Sequence, residues 1–394
     1  MDELAWKLGM DAIELRRVND TMTDPIDGKR WSSRSLMQCY DQAAQAFGWE
    51  KRAREPGTMR DGEWLVGFGC ATALYPTHIG PATARVRLMS NGEVRVQTAA
   101  HEIGNGAYTV IGQAAAERLG VPLNKVSVEL GDSELPPAPV AGGSRTTAST
   151  CSAVLEACDA IRDKLFHAAR SVDDGPLAGH NAADLSLADG RITAADGAGE
   201  SLEDTFRRVG ANAIEEYAEF VPHGLKPQTV KALYEGTSVS TGGPEGDTIM
   251  YAMGAEFVEV RVNSATREIR VPRIVGAFAA GHLMNTRTTH SQLMGGMIWG
   301  ISSALHEATE IDRKRARYVN TNLADYRVPV NADVADVEVI LVPEEDRDVN
   351  PAGVKGLGEL ANVGTAAALA NAIYHATGIR VRELPIRIEK LLTA

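Results

Sequence analysis

The sequence has few cysteines, few aromatic residues and no long apolar run, and each shortage excludes a class of protein. Its four cysteines form no C-x-x-C pair, so an iron–sulfur or zinc site made by this chain is not expected. Four cysteines among 394 residues are also too few for a disulfide framework. No apolar run is long enough for a membrane-spanning helix. Because the nine histidines are scattered, we predict no protein-ligated metal, and any metal is expected to arrive on a cofactor.

An excess of positive charge is also missing, since the formal net charge is −12. A chain this acidic is a poor partner for nucleic acid or for an anionic membrane surface. The first residues lack the basic and apolar regions of a signal peptide. We therefore expect a cytoplasmic protein, or a periplasmic one if it is exported with a partner subunit.

The first 60 residues are predicted to be a helical connecting segment. Asp2 is suited to cap a first helix, and Ser32 or Ser33 a second helix that ends near Gly48. We expect the packing partner of this segment to lie outside the sequence.

Two similar strand–turn–strand patterns follow, and they suggest an internal duplication. The first, at residues 84–97, contains the hairpin signal Asn91-Gly92, and the second lies at residues 256–271. Each leads into a glycine-containing loop and then a helix. We divide the remainder accordingly into residues 61–245 and residues 246–394, and predict an α+β fold with mixed sheets.

Four loop-to-helix junctions combine glycine or small hydroxyl residues with the start of a predicted helix. They lie at residues 101–106, 142–149, 288–292 and 353–364. Helix N-termini present free N–H groups and a field that favours anions. A single junction of this kind is more often a plain turn and cap, but four in one chain favour a large ligand that carries phosphate.

The last junction is the most distinctive, with four glycines, one lysine and Glu359 in twelve residues. An alanine-rich run, Thr365–Thr377, follows and is predicted to form a buried helix. Glu359 is therefore expected at the start of a helix, beside a backbone that approaches a ligand closely. The alternative is a tight turn with a solvated Glu359.

The first junction has a second interpretation as a dinucleotide-binding βαβ unit. A strand, the pair Gly104 and Gly106, a helix and a strand with Glu129 follow one another as that unit requires. However, Thr109 occupies the position of the third glycine, so this signal is weak.

Four segments, spread along the chain in a fixed order, carry a resemblance that covers nearly the whole sequence. They are His101-Glu-Ile-Gly-Asn-Gly106, Ala141-Gly-Gly-Ser-Arg-Thr-Thr-Ala-Ser149, Ser291-Gln-Leu-Met-Gly-Gly296 and Lys355-Gly-Leu-Gly-Glu359. Together they resemble the molybdenum-binding subunit of the xanthine dehydrogenase and aldehyde oxidase family, in particular that of bacterial aldehyde oxidoreductases built from separate subunits. The resemblance implies molybdopterin cytosine dinucleotide with molybdenum, held between two elongated α+β domains. It also implies oxidation of aldehydes to carboxylic acids or hydroxylation of N-heterocycles.

The resemblance assigns roles to individual residues. Glu359 matches the general base beside the molybdenum, and Gln292 matches a glutamine that contacts the pterin. Asn105 stands where the family often has a glutamine. The residues that the resemblance assigns to cofactor binding are Gly104, Asn105, Gly106, Gly143, Ser144, Thr147, Ala148, Ser149, Thr150, Cys151, Gln292, Lys355, Gly356 and Gly358.

The resemblance also implies partner chains. The family passes electrons through [2Fe-2S] clusters and FAD, which we expect on an iron–sulfur subunit and an FAD subunit. A Gly-Gly-Gly-Phe-Gly loop of the family does not occur in this sequence. The sequence therefore resembles the C-terminal half of such a subunit, as a split gene, a truncated product or a remnant, and a further chain is expected to supply the N-terminal half. The alternatives are a half-subunit that assembles without catalysing, and a nucleotide-binding oxidoreductase.

Overall fold

The computed structural model of this protein describes residues 1–171 and 174–392. The helices in these residues are α1 (Asp2–Leu8), α2 (Ala12–Val18), α3 (Leu36–Phe47), α4 (Ala107–Arg118), α5 (Ser152–Arg170), α6 (Leu202–Val209), α7 (Val230–Tyr234), α8 (Thr286–Leu305), α9 (Leu360–Val363) and α10 (Thr365–Thr377). The strands are β1 (Arg30–Trp31), β2 (Arg60–Asp61), β3 (Trp64–Pro76), β4 (His78–Ile79), β5 (Ala82–Met89), β6 (Val94–Gln97), β7 (Val126–Glu129), β8 (Leu185–Ala188), β9 (Arg191–Ala194), β10 (Gly199–Ser201), β11 (Ala213–Phe220), β12 (Thr241–Gly242), β13 (Thr248–Ile249), β14 (Tyr251–Asn263), β15 (Ile269–Ala279), β16 (Ile311–Asp312), β17 (Arg317–Tyr318) and β18 (Val334–Leu341).

A five-stranded sheet in the order β18-β15-β14-β3-β2 forms the larger core. Strand β14 is antiparallel to both neighbours, whereas β15 and β18 run parallel. Because successive side chains of a strand point to opposite faces, β14 contributes to two cores. Val258 and Val260 face α8, α9 and α10, whereas Ala255 and Phe257 face α1, α2 and α3.

Helix α10 lies unusually close to this sheet. A Cβ added at Gly69 would lie 2.9 Å from the Ala372 Cα, and one added at Gly67 would lie 2.8 Å from the Ala376 Cβ. Glycines in β3 and alanines in α10 therefore allow the two backbones to approach. The predicted buried helix at Thr365–Thr377 is confirmed with the same bounds.

A four-stranded sheet in the order β11-β5-β6-β7 forms the second core, with α4 and α5 packed on one face. Its apolar side chains alternate with charged ones, so Val86 and Leu88 are buried while Arg85 and Arg87 are exposed. This alternation is typical of a sheet with one face in solvent. The hairpin predicted at residues 84–97 is confirmed by the antiparallel pairing of β5 with β6.

The two sheets repeat one topology. In the first, the hairpin β5-β6 is followed by α4, by β7 parallel to β6, and by α5. In the second, the hairpin β14-β15 is followed by α8, by β18 parallel to β15, and later by α10. Each hairpin also pairs with one further antiparallel strand. Strand β3 precedes both units and pairs with β14 of the second unit, whereas β11 lies between the units and pairs with β5 of the first. The suggested internal duplication is thus confirmed, and the fold is α+β with mixed sheets.

The helical segment at the start of the chain has its packing partner within the chain, so the expectation of an outside partner was wrong. Tyr40 and Phe47 of α3 pack edge-on or tilted against Phe257, and Phe47 also contacts Phe68. The proposed Ser32 or Ser33 cap was also wrong, since α3 begins after Ser35. Aromatic burial against a distant strand, which no local pattern reveals, determines where this segment lies.

The predicted boundaries at 60/61 and 245/246 stay predictions. Strand β3 pairs along its whole length with β14, on the other side of the second boundary. Smaller sheets complete the fold, among them β10-β9-β8 beside α6, which begins after Ser201 with a side-chain cap. In the described part of the chain, no helix combines the length and apolar character that crossing a membrane would require.

Candidate functional site

The four predicted loop-to-helix junctions meet at one cleft of about 540 Å³. Each repeat contributes the loop before its crossover helix, α4 or α8, and the loop after its parallel strand, β7 or β18. In open sheets, ligands bind where such strand ends and helix starts gather. The predicted site residues that line the cleft are Gly104, Asn105, Gly106, Gly143, Ser144, Thr147, Gln292, Lys355, Gly358 and Glu359.

Ser144 joins the second junction to the fourth. The backbone N–H groups of Leu357 and Gly358 donate to its hydroxyl oxygen, at 3.1 Å and 3.0 Å. Cβ atoms added at Gly356 or Gly358 would lie 3.2–3.4 Å from Ser144 atoms or from the Pro76 carbonyl oxygen, so glycine lets these loops touch. The loop around Ser144 therefore holds the glycine-rich loop in place.

The backbone at residues 143–144 has an unusual left-handed conformation. Gly143 and Ser144 have φ of 63° and 55°, a left-handed conformation that is rare for serine. Their N–H groups donate to no atom among residues 1–171 and 174–392. Successive free N–H groups in such a turn form a nest for anions.

Glu359 stands at the N-cap position of α9, a four-residue helix that was not predicted and that precedes the predicted helix α10. Its carboxylate accepts a hydrogen bond of 3.0 Å from the Tyr75 hydroxyl. Burial, and then this hydrogen bond, raise the pKa of Tyr75 to about 12. On the other side, the Gln292 amide donates to the Gly358 carbonyl oxygen at 2.6 Å. Tyr75, at the end of β3, was not predicted, because only the register of β3 against β14 brings it to the cleft.

Lys355 borders the cleft but its ammonium group is engaged beneath the surface. The ammonium lies 3.1 Å from a carboxylate oxygen of Glu344 and 3.1 Å from one of Asp346, and all three side chains are at most 3% exposed. It also contacts the Ser33 hydroxyl. The structure thus shows Lys355 anchoring the glycine-rich loop to the charged loop before it.

The N–H groups at the start of α4 already have an anionic partner. The Glu102 carboxylate accepts from the N–H groups of Gly104 at 2.8 Å, Gly106 at 3.0 Å and Tyr108 at 3.3 Å. Partial burial works in the opposite direction, but the N–H groups of Gly106, Gly104 and Tyr108 outweigh it and hold the pKa of Glu102 below its ordinary value. Glu102 was not predicted, although a carboxylate just before a glycine-rich helix start is a recognisable capping signal.

Five predicted site residues do not line the cleft: Gly356, Ala148, Ser149, Thr150 and Cys151. The last four belong to a π-helical turn at Thr147–Cys151 instead of a loop, and they are buried. The Ser149 hydroxyl oxygen accepts from the Gly80 N–H at 2.9 Å, and the Gly356 N–H donates to the Thr77 hydroxyl. Burial raises the pKa of the Cys151 thiol to about 12. These five residues are therefore buried in the protein and do not face the cleft.

The crossover helix α4 does form a βαβ unit, as the dinucleotide interpretation requires, because β6 and β7 are parallel. However, Glu129 accepts from Arg95 and Gln97 within the sheet. Glu102 already accepts from the N–H groups at the start of α4. The βαβ unit therefore has neither an acidic residue nor helix N–H groups free for a nucleotide. No cluster of three or more His, Cys, Asp or Glu side chains with metal-ligand spacing occurs in the described ranges.

The sequence pattern of the molybdopterin cofactor-binding domain matches residues 42–335. The chain belongs to this family. It is 39% identical over its full length to the aldehyde oxidoreductase molybdenum-binding subunit PaoC of Escherichia coli O157:H7, covering 49% of that protein. It is 30% identical over 99% of its length to the xanthine dehydrogenase molybdenum-binding subunit of the same organism, covering 50% of it.

The fold agrees with this family. Quinoline 2-oxidoreductase from Pseudomonas putida 86 superposes with a TM-score of 0.82 at 20% identity, over 99% of this chain and 50% of that one. The chain spans about half the length of the curated relatives it matches. In this member of the family, Ser144, Gln292 and Glu359 line the cleft.

Proposed function

We propose that this chain forms the molybdopterin-binding cleft of a molybdenum hydroxylase that oxidises aldehydes to carboxylic acids or hydroxylates N-heterocycles. The observation that carries the proposal is the convergence of four junctions, from two repeated units, on one cleft with Glu359 at its wall. The named relatives are an aldehyde oxidoreductase and a xanthine dehydrogenase subunit, and both substrate classes come from their names.

The residues at the cleft fit a pterin with a phosphate tail. The free N–H groups of Gly143 and Ser144 suit phosphate oxygens. Gln292, fixed by its bond to Gly358, keeps an amide oxygen for a ring N–H. We propose the cytosine dinucleotide form, because the segments at residues 101–106, 141–149, 291–296 and 355–359 resemble those of bacterial aldehyde oxidoreductases built from separate subunits. When bound, the cofactor supplies a redox centre that accepts two electrons from the substrate.

Glu359 is the proposed general base. One carboxylate oxygen accepts from Tyr75, while the side chain stays exposed to the cleft, so a lone pair is free to take a proton. Tyr75 holds the carboxylate in one rotamer, and Gln292 and Ser144 hold the backbone that carries it. These contacts thereby fix the position of the Glu359 carboxylate that would accept the proton.

The proposed partners are an iron–sulfur subunit, an FAD subunit and a chain supplying the part of the relatives' length not spanned here. Two observations support partner chains. The named relatives are subunits of larger enzymes, and one, from Paenarthrobacter nicotinovorans, is the gamma subunit of a dehydrogenase complex. In addition, the chain corresponds to about half of each curated relative.

The test compares Glu359→Gln with Glu345→Gln in the complex assembled from this chain and its partners. Glu345 is a matched control, since its side chain is 84% exposed and pairs only with a neighbouring arginine. Glu359→Gln is expected to leave molybdenum content near wild type while turnover falls by about 10²–10⁴, as for loss of a general base. Near-normal turnover with full metal loading would overturn the assignment. A complex that assembles without turnover in the wild type would instead support the non-catalytic half-subunit.

A further inference from the structure

A carboxyl group lies in the middle of an otherwise apolar sheet face. Glu256 of β14 is fully buried and points to the same side as Val258 and Val260, toward α9 and α10. Burying an ionised carboxylate without a cation is very costly, so such groups are normally neutral or paired. Among the described residues Glu256 forms no ion pair, and one of its carboxyl oxygens has no hydrogen-bond partner.

The hydrogen bonds around Glu256 decide its protonation state. One of its oxygens contacts the hydroxyl of Thr365, the first residue of α10. The same hydroxyl lies 2.9 Å from the Ala361 carbonyl oxygen in α9. A hydroxyl has one hydrogen, and a carbonyl oxygen can only accept. Both contacts are full two-centre hydrogen bonds only if Thr365 donates to Ala361 and Glu256 donates to Thr365.

We propose that Glu256 is a protonated carboxylic acid in the folded protein and that it positions the corner between α9 and α10, and with it Glu359. The positioning of Glu359 rests on the proposed function, whereas the protonation of Glu256 does not. Glu256 acts through Thr365 and does not line the cleft.

The corner is tightly packed, so a displacement there would reach Glu359. A Cβ added at Gly364 would lie 2.9 Å from a Glu256 oxygen, and one added at Gly296 would lie 3.0 Å from the Ala361 Cβ. Glu359 is the residue directly before α9, whose four residues end at this corner. The chain thus connects the buried acid to the proposed base through one turn of helix.

The surroundings support the neutral form. Burial raises the pKa of Glu256 to about 8, and Thr365 and the Gly364 backbone oppose only part of this effect. Two titratable side chains on the neighbouring elements are bound to other groups: Tyr75 of β3 to Glu359, and His375 of α10 to the Phe68 N–H and the Ala53 carbonyl oxygen. Arg273 of β15 bonds to Glu259.

The first test is infrared spectroscopy of the full-length chain near pH 6.5, comparing wild type, Glu256→Gln and Glu338→Gln. Glu338 is a matched control because it is an exposed glutamate of the same sheet. The wild type and Glu338→Gln are expected to show the carbonyl stretch of a protonated carboxylic acid, and Glu256→Gln is expected to lose it. An unchanged spectrum in Glu256→Gln would overturn the proposal.

The second test uses unfolding as a function of pH. A group whose pKa is higher in the folded state stabilises fully below its unfolded pKa and loses this contribution as pH rises to the folded value. The unfolding midpoint of wild type, relative to Glu256→Gln, should therefore fall between about pH 4.5 and pH 8 and then level off. A constant difference across this range would contradict a neutral Glu256.

The third test addresses positioning. Glu256→Gln keeps a donor to Thr365, whereas Glu256→Leu removes it. Amide hydrogen exchange at residues 360–365 should be near wild type in the glutamine variant and at least several-fold faster in the leucine variant. Equal exchange in the two variants would remove the positioning role even if the infrared result holds. In the assembled complex, the turnover of the Glu359→Gln variant tests the proposed function. It does not test the protonation of Glu256.

Discussion

Replacing Gly300 with alanine is expected to destabilise the chain, whereas the same replacement at Gly295 is expected to stabilise it slightly. Both glycines lie inside α8 with ordinary helical backbone. A Cβ at Gly300 would lie 2.8 Å from the Thr365 Cγ2 and would overlap the Thr365 Cβ. A Cβ at Gly295 would meet nothing within 4 Å. The two positions thus differ in tertiary packing and not in local structure.

The magnitude follows from two opposing effects. Alanine in place of an interior helical glycine gains about 0.5–1 kcal/mol at either position. Overpacking a tight contact costs about 1–3 kcal/mol, and the Thr365 Cβ is fixed to the backbone and cannot rotate away. We therefore expect Gly295→Ala to gain roughly 0.5–1 kcal/mol and Gly300→Ala to lose up to about 2.5 kcal/mol.

Urea denaturation of the two variants and wild type measures the difference directly, provided that the slopes of the transitions agree. We expect the midpoints to fall in the order Gly295→Ala, wild type, Gly300→Ala. Because Gly300 contacts the α9–α10 corner, hydrogen exchange at residues 360–365 should also increase in Gly300→Ala. If Gly300→Ala were as stable as Gly295→Ala, the close approach of α8 to Thr365 would be wrong.

Three further predictions concern the loops of the cleft. Lys355→Met should lower the free energy of unfolding by about 3–5 kcal/mol in urea, because it leaves the carboxylates of Glu344 and Asp346 buried without a cation; a loss below about 1 kcal/mol would mean that the ion cluster is not formed. Tyr75→Phe should change the free energy of unfolding by less than about 1.5 kcal/mol, since one partly exposed hydrogen bond is lost, but it should lower turnover of the assembled complex several-fold. Unchanged turnover would mean that Tyr75 does not position the proposed base. Glu102→Gln should lower the unfolding midpoint near pH 7. The difference from wild type should shrink as pH falls below the ordinary carboxyl pKa and disappear below the lower folded pKa of Glu102, because a lowered folded pKa stabilises fully only above the unfolded value. A difference that persists in strong acid would show that charge is not the cause.

Local signals in the sequence were sufficient for the hairpins, for the helix at Thr365–Thr377 and for the four junctions. Asn91-Gly92 specifies a turn and an alanine-rich apolar run specifies a buried helix, and neither depends on distant residues. The convergence of the junctions was only suggested by their similarity. The parallel pairing of β6 with β7 and of β15 with β18 accounts for it.

Contacts between distant segments explain what the sequence did not reveal. The family resemblance assigns Lys355 to the cofactor, but Glu344, Asp346 and Ser33 bind its ammonium group below the loop. Ser149 carries the right functional group for a ligand, but the start of the π-helical turn directs it to Gly80. Strand register brought Tyr75 to the cleft, and register depends on the whole sheet.

These contacts determine which residue is suited to a test of the cleft. Ser149→Asp would perturb a buried core position, so its effect on loading would be ambiguous. Ser144 is the better position, because aspartate and asparagine both tolerate its left-handed backbone and both can accept from Leu357 and Gly358. The two variants differ only by a negative charge beside the free N–H groups.

Molybdenum and pterin content of the assembled complex carrying Ser144→Asp or Ser144→Asn is the most direct test of the central claim. If the nest at residues 143–144 holds the phosphate of the cofactor, Ser144→Asp should lose most of its metal and pterin through like-charge repulsion, while Ser144→Asn should retain most of both. Circular dichroism and unfolding midpoints should be similar in the two variants. Equal and near-wild-type loading of Ser144→Asp would contradict the claim that this cleft binds the cofactor.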